Sequence, residues 1–510
     1  MISFTSNTAY PKLAGFITLV LAAILSEPTH AEISSAACIA FGDTNFTIGD
    51  GTPGEVKKGR VIEATNDTPA YCELSGFVAP QVGFEIRLPL EGWNGRFLQQ
   101  GCSGMCGKLV LDAANDALAR GYATATTDMG HRAVSSRSGI WAYDDPSAKI
   151  DYWYRGTHVV ALAAQQLVAE FYGRALDRAF YRGCGTGGRA GLIEAQRYPN
   201  DFDGVLITGG SVLNFVRNNY SIMWGIKSNL DQNGEPILSA EDLELVHAAV
   251  QQECATDGTG VIANPLTCAF DPGSLACAAD SSRQCLSPEK VSTVRRYYDG
   301  PVNSAGEQLY SGQSKGSELG WSRGFFGNPS VMGKYIIEHY RYLLYPEAPG
   351  PTFELSQVDF EEPLETFSGV DVQSAADRVD YDGFKERDGK LLMTYGWNES
   401  SMPGSFAAQY FDRVANANAG VSATQEFFRL FMVPGTFSCR GGSPSGQQID
   451  LLSAMEKWVE EGTAPNKLIA TQKSEGDKKS RALFPYPSFG TYSGQGDMTK
   501  AESYVEVRTE

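Results

Sequence analysis

The sequence predicts an α/β protein whose core is a doubly wound, mostly parallel sheet. Short apolar strand patterns alternate with longer helical patterns through the first half of the chain, and this alternation is typical of parallel strands joined by helices. A second observation agrees, because the apolar stretch at residues 179–181 runs directly into a glycine-rich turn and then into a helix that Pro199 ends. The alternation stops at residue 212 and resumes near residue 381, which predicts a large insertion.

The individual elements are predicted from local patterns. Alternating or continuous apolar runs flanked by turn residues predict strands, and apolar residues spaced by three and four predict helices. The predicted strands are residues 84–90, 122–128, 179–181, 204–210, 390–395 and 427–433. The predicted helices are residues 111–120, 152–172, 190–198 and 449–462, and a tail rich in glycine, proline and serine follows the last of them. We expect the insertion, residues 212–375, to form a lid over a core made of residues 32–211 and 376–510.

Length, charge and the N-terminus limit the classes of function. A chain of 510 residues can bury a large core. The formal net charge of −18 argues against nucleic acid or an anionic membrane as partner, because both require basic patches. Lys12 precedes an apolar run at residues 13–25, and Thr-His-Ala at residues 29–31 offers a cleavage site. We therefore assign residues 1–31 as a signal peptide and expect a secreted or periplasmic protein without membrane contact after cleavage, with a retained anchor as the alternative.

All ten cysteines lie in the predicted mature chain. Exported proteins form disulfides, so we expect these cysteines to be paired. A zinc site at the first close pair is the alternative, but no second pair of ligands has suitable spacing. Proximity in sequence predicts three disulfides, Cys102–Cys106, Cys254–Cys268 and Cys277–Cys285.

The turn at residues 183–189 reads Gly-Cys-Gly-Thr-Gly-Gly-Arg. A strand, a glycine-rich turn and a helix are the setting of the nucleophile elbow, Gly-x-Ser-x-Gly, of α/β-hydrolases. The sequence therefore predicts the α/β-hydrolase fold. The middle position, where that motif has its serine, is Gly185 here. An earlier glycine-rich loop, residues 101–107, is where such enzymes place one amide of the oxyanion hole.

Five further segments are long or unusual in composition. They are Trp-Asn-Gly-Arg-Phe at 93–97, Glu-Ala-Gln-Arg-Tyr-Pro at 194–199, Phe-Asp-Gly at 202–204, Gly-Pro-Val-Asn-Ser-Ala-Gly at 300–306 and Phe-Pro-Tyr-Pro at 484–487. Through them, most of the mature chain resembles the tannase and feruloyl esterase family. The resemblance implies an α/β-hydrolase core, a lid that encloses an aromatic ester, and a Ser–Asp–His triad.

The positions that this resemblance assigns to the triad hold residues of different chemistry. The nucleophile falls on Gly185, the acid on Glu399 and the base on Ser438. Glycine has no atom that can attack a carbonyl, and serine does not accept a proton near neutral pH as an imidazole does. Glutamate is the triad acid in some α/β-hydrolases, so only the acid position keeps a suitable group.

The resemblance also implies that the surroundings of the triad persist. The family joins the residue before the serine to the residue after the histidine by a disulfide, and both cysteines are present here. The resemblance, helped by elimination for the second pair, predicts the disulfides Cys184–Cys439 and Cys38–Cys72. It assigns the oxyanion hole to the backbone N–H groups of Gly104 and Thr186.

A replacement nucleophile or base is hard to find in the sequence. None of the four mature histidines follows the acid position, where the chain order of the fold puts the base. They are His131, His158, His247 and His339. His131, just after a predicted core strand, is the alternative base. Cys184 is a candidate thiol nucleophile only if it is not paired with Cys439.

The lid carries two more expectations. The family often has a calcium loop between two lid cysteines, but residues 254–268 keep only Asp257 as a carboxylate. Calcium takes six to eight oxygens, so we predict weak calcium binding or none, and no other cofactor. The resemblance places Trp321, Phe325 and Phe326 over the substrate, with packing inside the lid as the alternative.

Two functions are therefore open. The first is a non-catalytic family member that binds a small aromatic or phenolic ester without cleaving it. The second is an active carboxylic-ester hydrolase with a rearranged site. The substituted triad favours the first and family membership favours the second, since fold does not determine function.

Overall fold

The computed structural model describes residues 35–278, 284–303, 306–325, 331–359, 364–437, 439, 447–472 and 479–508. The assigned signal peptide lies outside these ranges. No helix in the described part of the chain has both the length and the apolar character needed to cross a membrane.

A ten-stranded mixed sheet forms the centre of the molecule. Its strands are β1 (Thr44–Thr47), β2 (Pro53–Ile62), β3 (Tyr71–Val78), β4 (Val82–Pro89), β5 (Arg96–Gln100), β6 (Ala123–Thr127), β7 (Arg178–Gly185), β8 (Gly204–Ser211), β9 (Lys390–Gly396) and β10 (Phe428–Val433). Their spatial order is β1-β2-β3-β4-β6-β5-β7-β8-β9-β10. All pairs from β6 to β10 are parallel, and all pairs from β1 to β6 are antiparallel.

Helices cover the parallel half of this sheet. Every residue of β9 and β10 is buried, as expected for strands covered on both faces. The helices outside the insertion are α1 (Ser35–Ala40), α2 (Asn115–Ala119), α3 (Pro146–Ile150), α4 (Gly156–Tyr172), α5 (Thr186–Arg197), α12 (Asp382–Glu386), α13 (Gly404–Ala417), α14 (Val421–Gln425) and α15 (Leu451–Glu461). The predicted α/β-hydrolase fold class is confirmed.

Two predicted helices differ in detail from the structure. The segment 111–120 is a 3₁₀ turn followed by the short α2, which begins without a side-chain cap. The segment 152–172 begins with a π-helical turn, Asp151–Arg155, before α4 continues as a regular helix.

The inserted segment is helical in its described residues. Its helices are α6 (Phe215–Ser228), α7 (Ala240–Cys254), α8 (Pro288–Asp299), α9 (Glu318–Phe325), α10 (Val331–Tyr342) and α11 (Ser368–Ser374). The hydroxyl of Tyr297 on α8 donates to the carbonyl of Gly225 on α6 at 2.6 Å, deep in the interior. The insertion and the core belong to one structural unit, Ile33–Glu510, so the boundaries at 212 and 375 stay a prediction.

The C-terminal tail is more ordered than its composition indicates. β11 (Gln447–Gln448) precedes α15, and the tail after that helix contains β12 (Leu468–Gln472), β13 (Lys479–Leu483), β14 (Ser488–Tyr492) and β15 (Tyr504–Arg508). The glycine at 490 serves close packing, since a Cβ there would lie 2.4 Å from the carbonyl oxygen of Ala482. Gly490 therefore marks a contact between strands rather than a loop.

Five disulfides are present in the structure, and they are the five pairs expected from the sequence. They are Cys38–Cys72, Cys102–Cys106, Cys184–Cys439, Cys254–Cys268 and Cys277–Cys285. The pair Cys184–Cys439 joins the C-terminal end of β7 to the loop after β10.

Candidate active site

The turn between β7 and α5 has the backbone of a nucleophile elbow. Gly185 ends the strand and precedes the helix with φ 60° and ψ −118°, a conformation that costs an L-residue strain. Within the described part of the chain, a Cβ built on Gly185 would have one neighbour within 4 Å beyond the adjoining residues, the Sγ of Cys439 at 4.0 Å. The turn therefore has room for a side chain at the position assigned to the nucleophile.

The glycines around position 185 have no such room. A Cβ on Gly183 would lie 2.4 Å from the backbone of Gly187, and one on Gly187 would lie 2.6 Å from the carbonyl oxygen of Cys102. A Cβ on Gly188 would lie 2.6 Å from the Oγ of Ser211. These three glycines are required because strand, helix and neighbouring loop approach each other closely.

The loop after β5 packs directly on the elbow. The N–H of Gly187 donates to the carbonyl of Cys102 at 2.9 Å, and the hydroxyl of Thr186 donates to the carbonyl of Gly104 at 2.5 Å. Thr186 is the first residue of α5, where backbone N–H groups have no partner within the helix. The two residues assigned to the oxyanion hole are thus neighbours, and their role stays a prediction.

The acid position lies just after β9. Glu399 is 3% exposed, and its Oε1 accepts hydrogen bonds from the N–H and hydroxyl of Ser401 at 2.8 and 2.5 Å. Its Oε2 is buried and has no donor among the described residues. The neighbouring Asn398 accepts from the N–H of Gly435 at 3.2 Å, which ties this loop to the one after β10. Ser401 was not predicted, although a serine two residues after a carboxylate is a recognisable turn signal.

The base position, Ser438, lies outside the described residues. Its neighbour Cys439 is described, and the disulfide to Cys184 holds it beside the elbow. On the other side, the carbonyl of Thr436 accepts from the N–H of Asn398 at 3.1 Å. The described residues of this loop are therefore connected to the elbow by the disulfide and to the loop that carries Glu399 by a hydrogen bond.

The four mature histidines are engaged elsewhere. His131 is buried, stacks on Trp141 at 3.5 Å, and contacts the carbonyls of Met105 and Met129 through its two ring nitrogens at 2.7 and 3.2 Å. Burial lowers the pKa of His131 to about 4. His158 contacts Asp201, His247 contacts Glu318 and His339 contacts Asn219. Among the described residues, no histidine is hydrogen-bonded to a serine, threonine or cysteine side chain.

Of the three lid aromatics expected over the substrate, the structure describes the side chain of Trp321. Trp321 on α9 is fully buried, with its ring 4.9 Å from that of Tyr297 and its Nε1 donating to Ser317 at 3.0 Å. This environment is the interior of the lid. Phe325 ends α9 with its side chain outside the described set, and Phe326 lies outside the described residues altogether.

The lid loop at Asp257 does not fit a calcium ion. The Oδ1 of Asp257 accepts from the N–H and hydroxyl of Thr259 at 3.0 and 2.5 Å, and its Oδ2 from the N–H of Tyr492 at 3.3 Å. Arg481 donates to the same Thr259 hydroxyl at 3.0 Å. Burial opposes ionisation, but these donors and the charge of Arg481 outweigh it and lower the pKa of Asp257. One carboxylate already bonded to protein donors cannot supply a calcium cage.

Solved structures share the fold of this chain. Feruloyl esterase B from Aspergillus oryzae superimposes with a TM-score of 0.82 at 24% identity, covering 93% of this chain and 100% of that chain. Tannin acyl hydrolase from Aspergillus niger gives 0.75 at 20% identity, covering 94% and 95%. At these identities the likeness establishes the fold, and the molecule is an α/β-hydrolase-fold protein.

Sequence similarity points to one family within this fold class. Residues 68–507 match the family model of tannase and feruloyl esterase. The chain is 31% identical to an uncharacterized esterase of Xanthomonas campestris pv. campestris, over 93% of this chain and 88% of that protein. It is 32% identical to mono(2-hydroxyethyl) terephthalate hydrolase of Piscinibacter sakaiensis, over 86% and 85%. The chain belongs to the tannase and feruloyl esterase family.

Proposed function

We propose that this chain is an exported member of the family that binds a small aromatic or phenolic ester and hydrolyses it weakly or not at all. The observation that carries the proposal is Gly185, which occupies the elbow position with no side chain to attack an ester. The backbone of the turn nevertheless keeps its strained geometry. Such a site can orient an ester carbonyl through backbone N–H groups but cannot form an acyl intermediate.

Four further observations support this function. The histidines that could replace the base are bound to other groups, and the two ring nitrogens of His131 lie against backbone carbonyls rather than a nucleophile. Cys184 is in a disulfide, which argues against a thiol nucleophile. The aromatic or phenolic class of ligand is inferred from the relatives, whose names include feruloyl esterases and a terephthalate ester hydrolase. Five disulfides support export to an oxidising compartment.

The second candidate function is hydrolysis of a carboxylic ester through a rearranged site. It is favoured by the names of the relatives, which are esterases and hydrolases. It also draws support from the buried Oε2 of Glu399, a carboxylate oxygen for which the described residues offer no donor.

One experiment separates the two functions. Purified mature protein is assayed with p-nitrophenyl acetate and methyl ferulate, while a serine-reactive phosphonate probes for a covalent adduct. We expect no labelling, no turnover above the buffer rate, and saturable quenching of tryptophan fluorescence by a ferulate or gallate ester. Turnover together with labelling would establish the hydrolase instead. Absence of quenching by several such esters would remove the binding function.

A further inference from the structure

Glu194, in the segment Glu-Ala-Gln-Arg-Tyr-Pro, is a buried carboxylate that the candidate active site does not use. It lies on α5 and is 1% exposed. Neither of its carboxylate oxygens has a hydrogen-bond donor among the described residues. An isolated carboxylate at such a position is too costly to remain charged and uncompensated. Some group must therefore balance it.

Two ligand-type side chains lie against Glu194. His158 comes from α4, and Asp201 comes from the loop that leads into β8. The Nδ1 of His158 is 2.6 Å from the Oδ2 of Asp201. One ligand atom from each of the three side chains lies within 4.8 Å of the other two. The His158 side chain is 20% exposed, so the cluster is accessible from solvent.

A second histidine–carboxylate pair in the lid shows what is unusual about this cluster. The Nδ1 of His247 is 2.7 Å from the Oε2 of Glu318, and His247 is also 20% exposed. The other oxygen of Glu318 accepts from the hydroxyl of Tyr298 at 2.7 Å and the N–H of Gly316 at 2.6 Å. The lid carboxylate is therefore satisfied by protein donors. Glu194 adds an extra buried carboxylate to the same kind of pair and has no such donors.

We propose that His158, Glu194 and Asp201 form a structural site for a divalent metal ion of the zinc type. One imidazole nitrogen and two carboxylate oxygens are zinc ligands, and water from the exposed side of His158 completes a tetrahedral set. The His158 and Asp201 atoms need to separate by less than about 1 Å to bind an ion at about 2.0–2.2 Å. The competing occupant is a proton shared by Glu194 and Asp201.

The cluster lies too far from the elbow to contact an ester there, so its role is structural. Glu194 is eight residues after Thr186, which is about 12 Å along the axis of α5. An ion there is behind the elbow and out of reach of an ester carbonyl held at Gly185. It would join α4, α5 and the segment before β8, and so fix the helix that carries the elbow. The site is independent of whether the protein hydrolyses esters.

The test uses untagged mature protein treated with EDTA, dialysed, and titrated with zinc chloride by calorimetry and by thermal melting. We expect one zinc ion per chain and a rise in Tm of about 2–4 °C at saturation. Glu194→Gln keeps the shape of the side chain and removes its charge. We expect it to fold without zinc, to lose the rise in Tm, and to bind zinc at least about 10-fold more weakly. His158→Gln should behave in the same way.

His247→Gln is the matched control, because it alters the lid pair and should keep the full zinc response. Circular dichroism of each variant establishes that it is folded, and His158 is a partly exposed position that tolerates substitution if Glu194→Gln does not. Equal zinc affinity in the parent and in either cluster variant would overturn the site. Absence of zinc binding by the parent would also overturn it and would leave the shared proton as the compensating group.

Discussion

The elbow around Gly185 and the lid loop around Asp257 are two places where the family resemblance implies a group, a serine hydroxyl and a calcium ion, respectively, and they differ in what lies there. At the elbow, the backbone keeps its strained φ and ψ, and among the described residues the Sγ of Cys439 lies 4.0 Å from where a Cβ would project. At the lid loop, protein donors from Thr259 and Tyr492 bind the carboxylate, and Arg481 supplies positive charge.

The difference follows from what each group contributes. A serine hydroxyl on a rigid turn does chemistry but little packing, so its absence leaves the turn unchanged. A metal ion balances buried negative charge, so its absence demands new donors and a new counter-charge. We therefore expect the elbow to accept its lost group again by substitution. The lid loop should not, because its donors are already replaced.

The largest expected effect is recovery of ester hydrolysis at the elbow. Gly185→Ser alone supplies a hydroxyl without a base, and Ser438→His alone supplies a base without a hydroxyl, so each should leave activity unchanged. The double variant should exceed either single variant by at least about 10³-fold on an activated ester, because nucleophile and base act as a unit. The four proteins are compared by initial rates, with thermal melting as the control for folding. A gain from Gly185→Ser equal to that of the double variant would show that another residue is the base.

The next largest effect distinguishes two glycines of the same turn. Gly187→Ala should cost about 3 kcal/mol of unfolding free energy or more, because its Cβ would lie 2.6 Å from the backbone oxygen of Cys102. Gly185→Ala should cost only about 1–2 kcal/mol, the strain of its positive φ, since no described atom beyond the adjoining residues lies closer than 4.0 Å to its Cβ. Urea unfolding of both variants measures the two costs. Equal costs would contradict the claim that position 185 has room for a side chain.

The next largest effect on stability should come from removing the positive charge of Arg481 beside the lid loop. Arg481→Met keeps most of the side-chain volume and leaves Asp257 without its neighbouring cation, so we expect a loss of about 2 kcal/mol. Arg295→Met is the matched control, because its ion pair with Asp271 is exposed on both sides and should contribute less than about 1 kcal/mol. Both are measured by urea unfolding at the same pH. A loss at Arg481 no larger than at Arg295 would remove the compensating role of Arg481.

A smaller effect depends on pH at the loop that supports the elbow. Burial lowers the pKa of His131 to about 4 from its ordinary 6.5, so the native state binds fewer protons than the unfolded chain between these values. The part of the unfolding free energy that depends on neutral, buried His131 is fully present above pH 6.5 and is lost as the pH falls towards 4. The loss is at most about 1.4 kcal/mol per pH unit. His131→Gln keeps a donor for the carbonyl of Met105 and should flatten this dependence in urea unfolding. An unchanged slope would show that His131 is not the group that titrates.

The smallest expected effect is that of calcium. Millimolar calcium should shift Tm by less than about 1 °C, because the carboxylate of Asp257 is already bonded to protein donors. Magnesium at the same concentration controls for ionic strength. A rise of several degrees that Asp257→Asn abolishes would show that the lid loop still holds calcium.

The elbow and the buried strands were predictable because their signals are local. Glycine spacing and Pro199 mark the turn and the end of α5, and continuous apolar runs mark β9 and β10. The tail strands were not predicted, since they are short and polar and gain stability from partners rather than from their own composition. In the same way, the pairing of the Asp257 loop with Arg481 joins residues more than 200 positions apart. No local pattern reports such a contact.

The resemblance assigned the site positions by residue identity, and those assignments stay predictions. The structure describes Cys184 and Gly185 at the end of β7 and Glu399 in the loop after β9. The donors that hold Glu399 and the carbonyls that occupy His131 depend on tertiary packing. The role of Trp321 over a ligand stays a prediction, because a buried indole in the lid interior has the same sequence signature as one that lines a pocket.

The link between Cys184 and Cys439 also bears on how the chain matures. The other four disulfides join cysteines 34, 4, 14 and 8 residues apart, so in an exported chain, as proposed, each can close soon after its segment reaches an oxidising compartment. Cys184 must instead wait for a partner 255 residues later, roughly 10–50 s at ordinary rates of synthesis. During that interval the Cys184 thiol can form disulfides with wrong partners. Early closure of the Cys102–Cys106 pair removes the two cysteines that precede Cys184 most closely in the chain, and the elbow is locked only when nearly the whole chain has emerged.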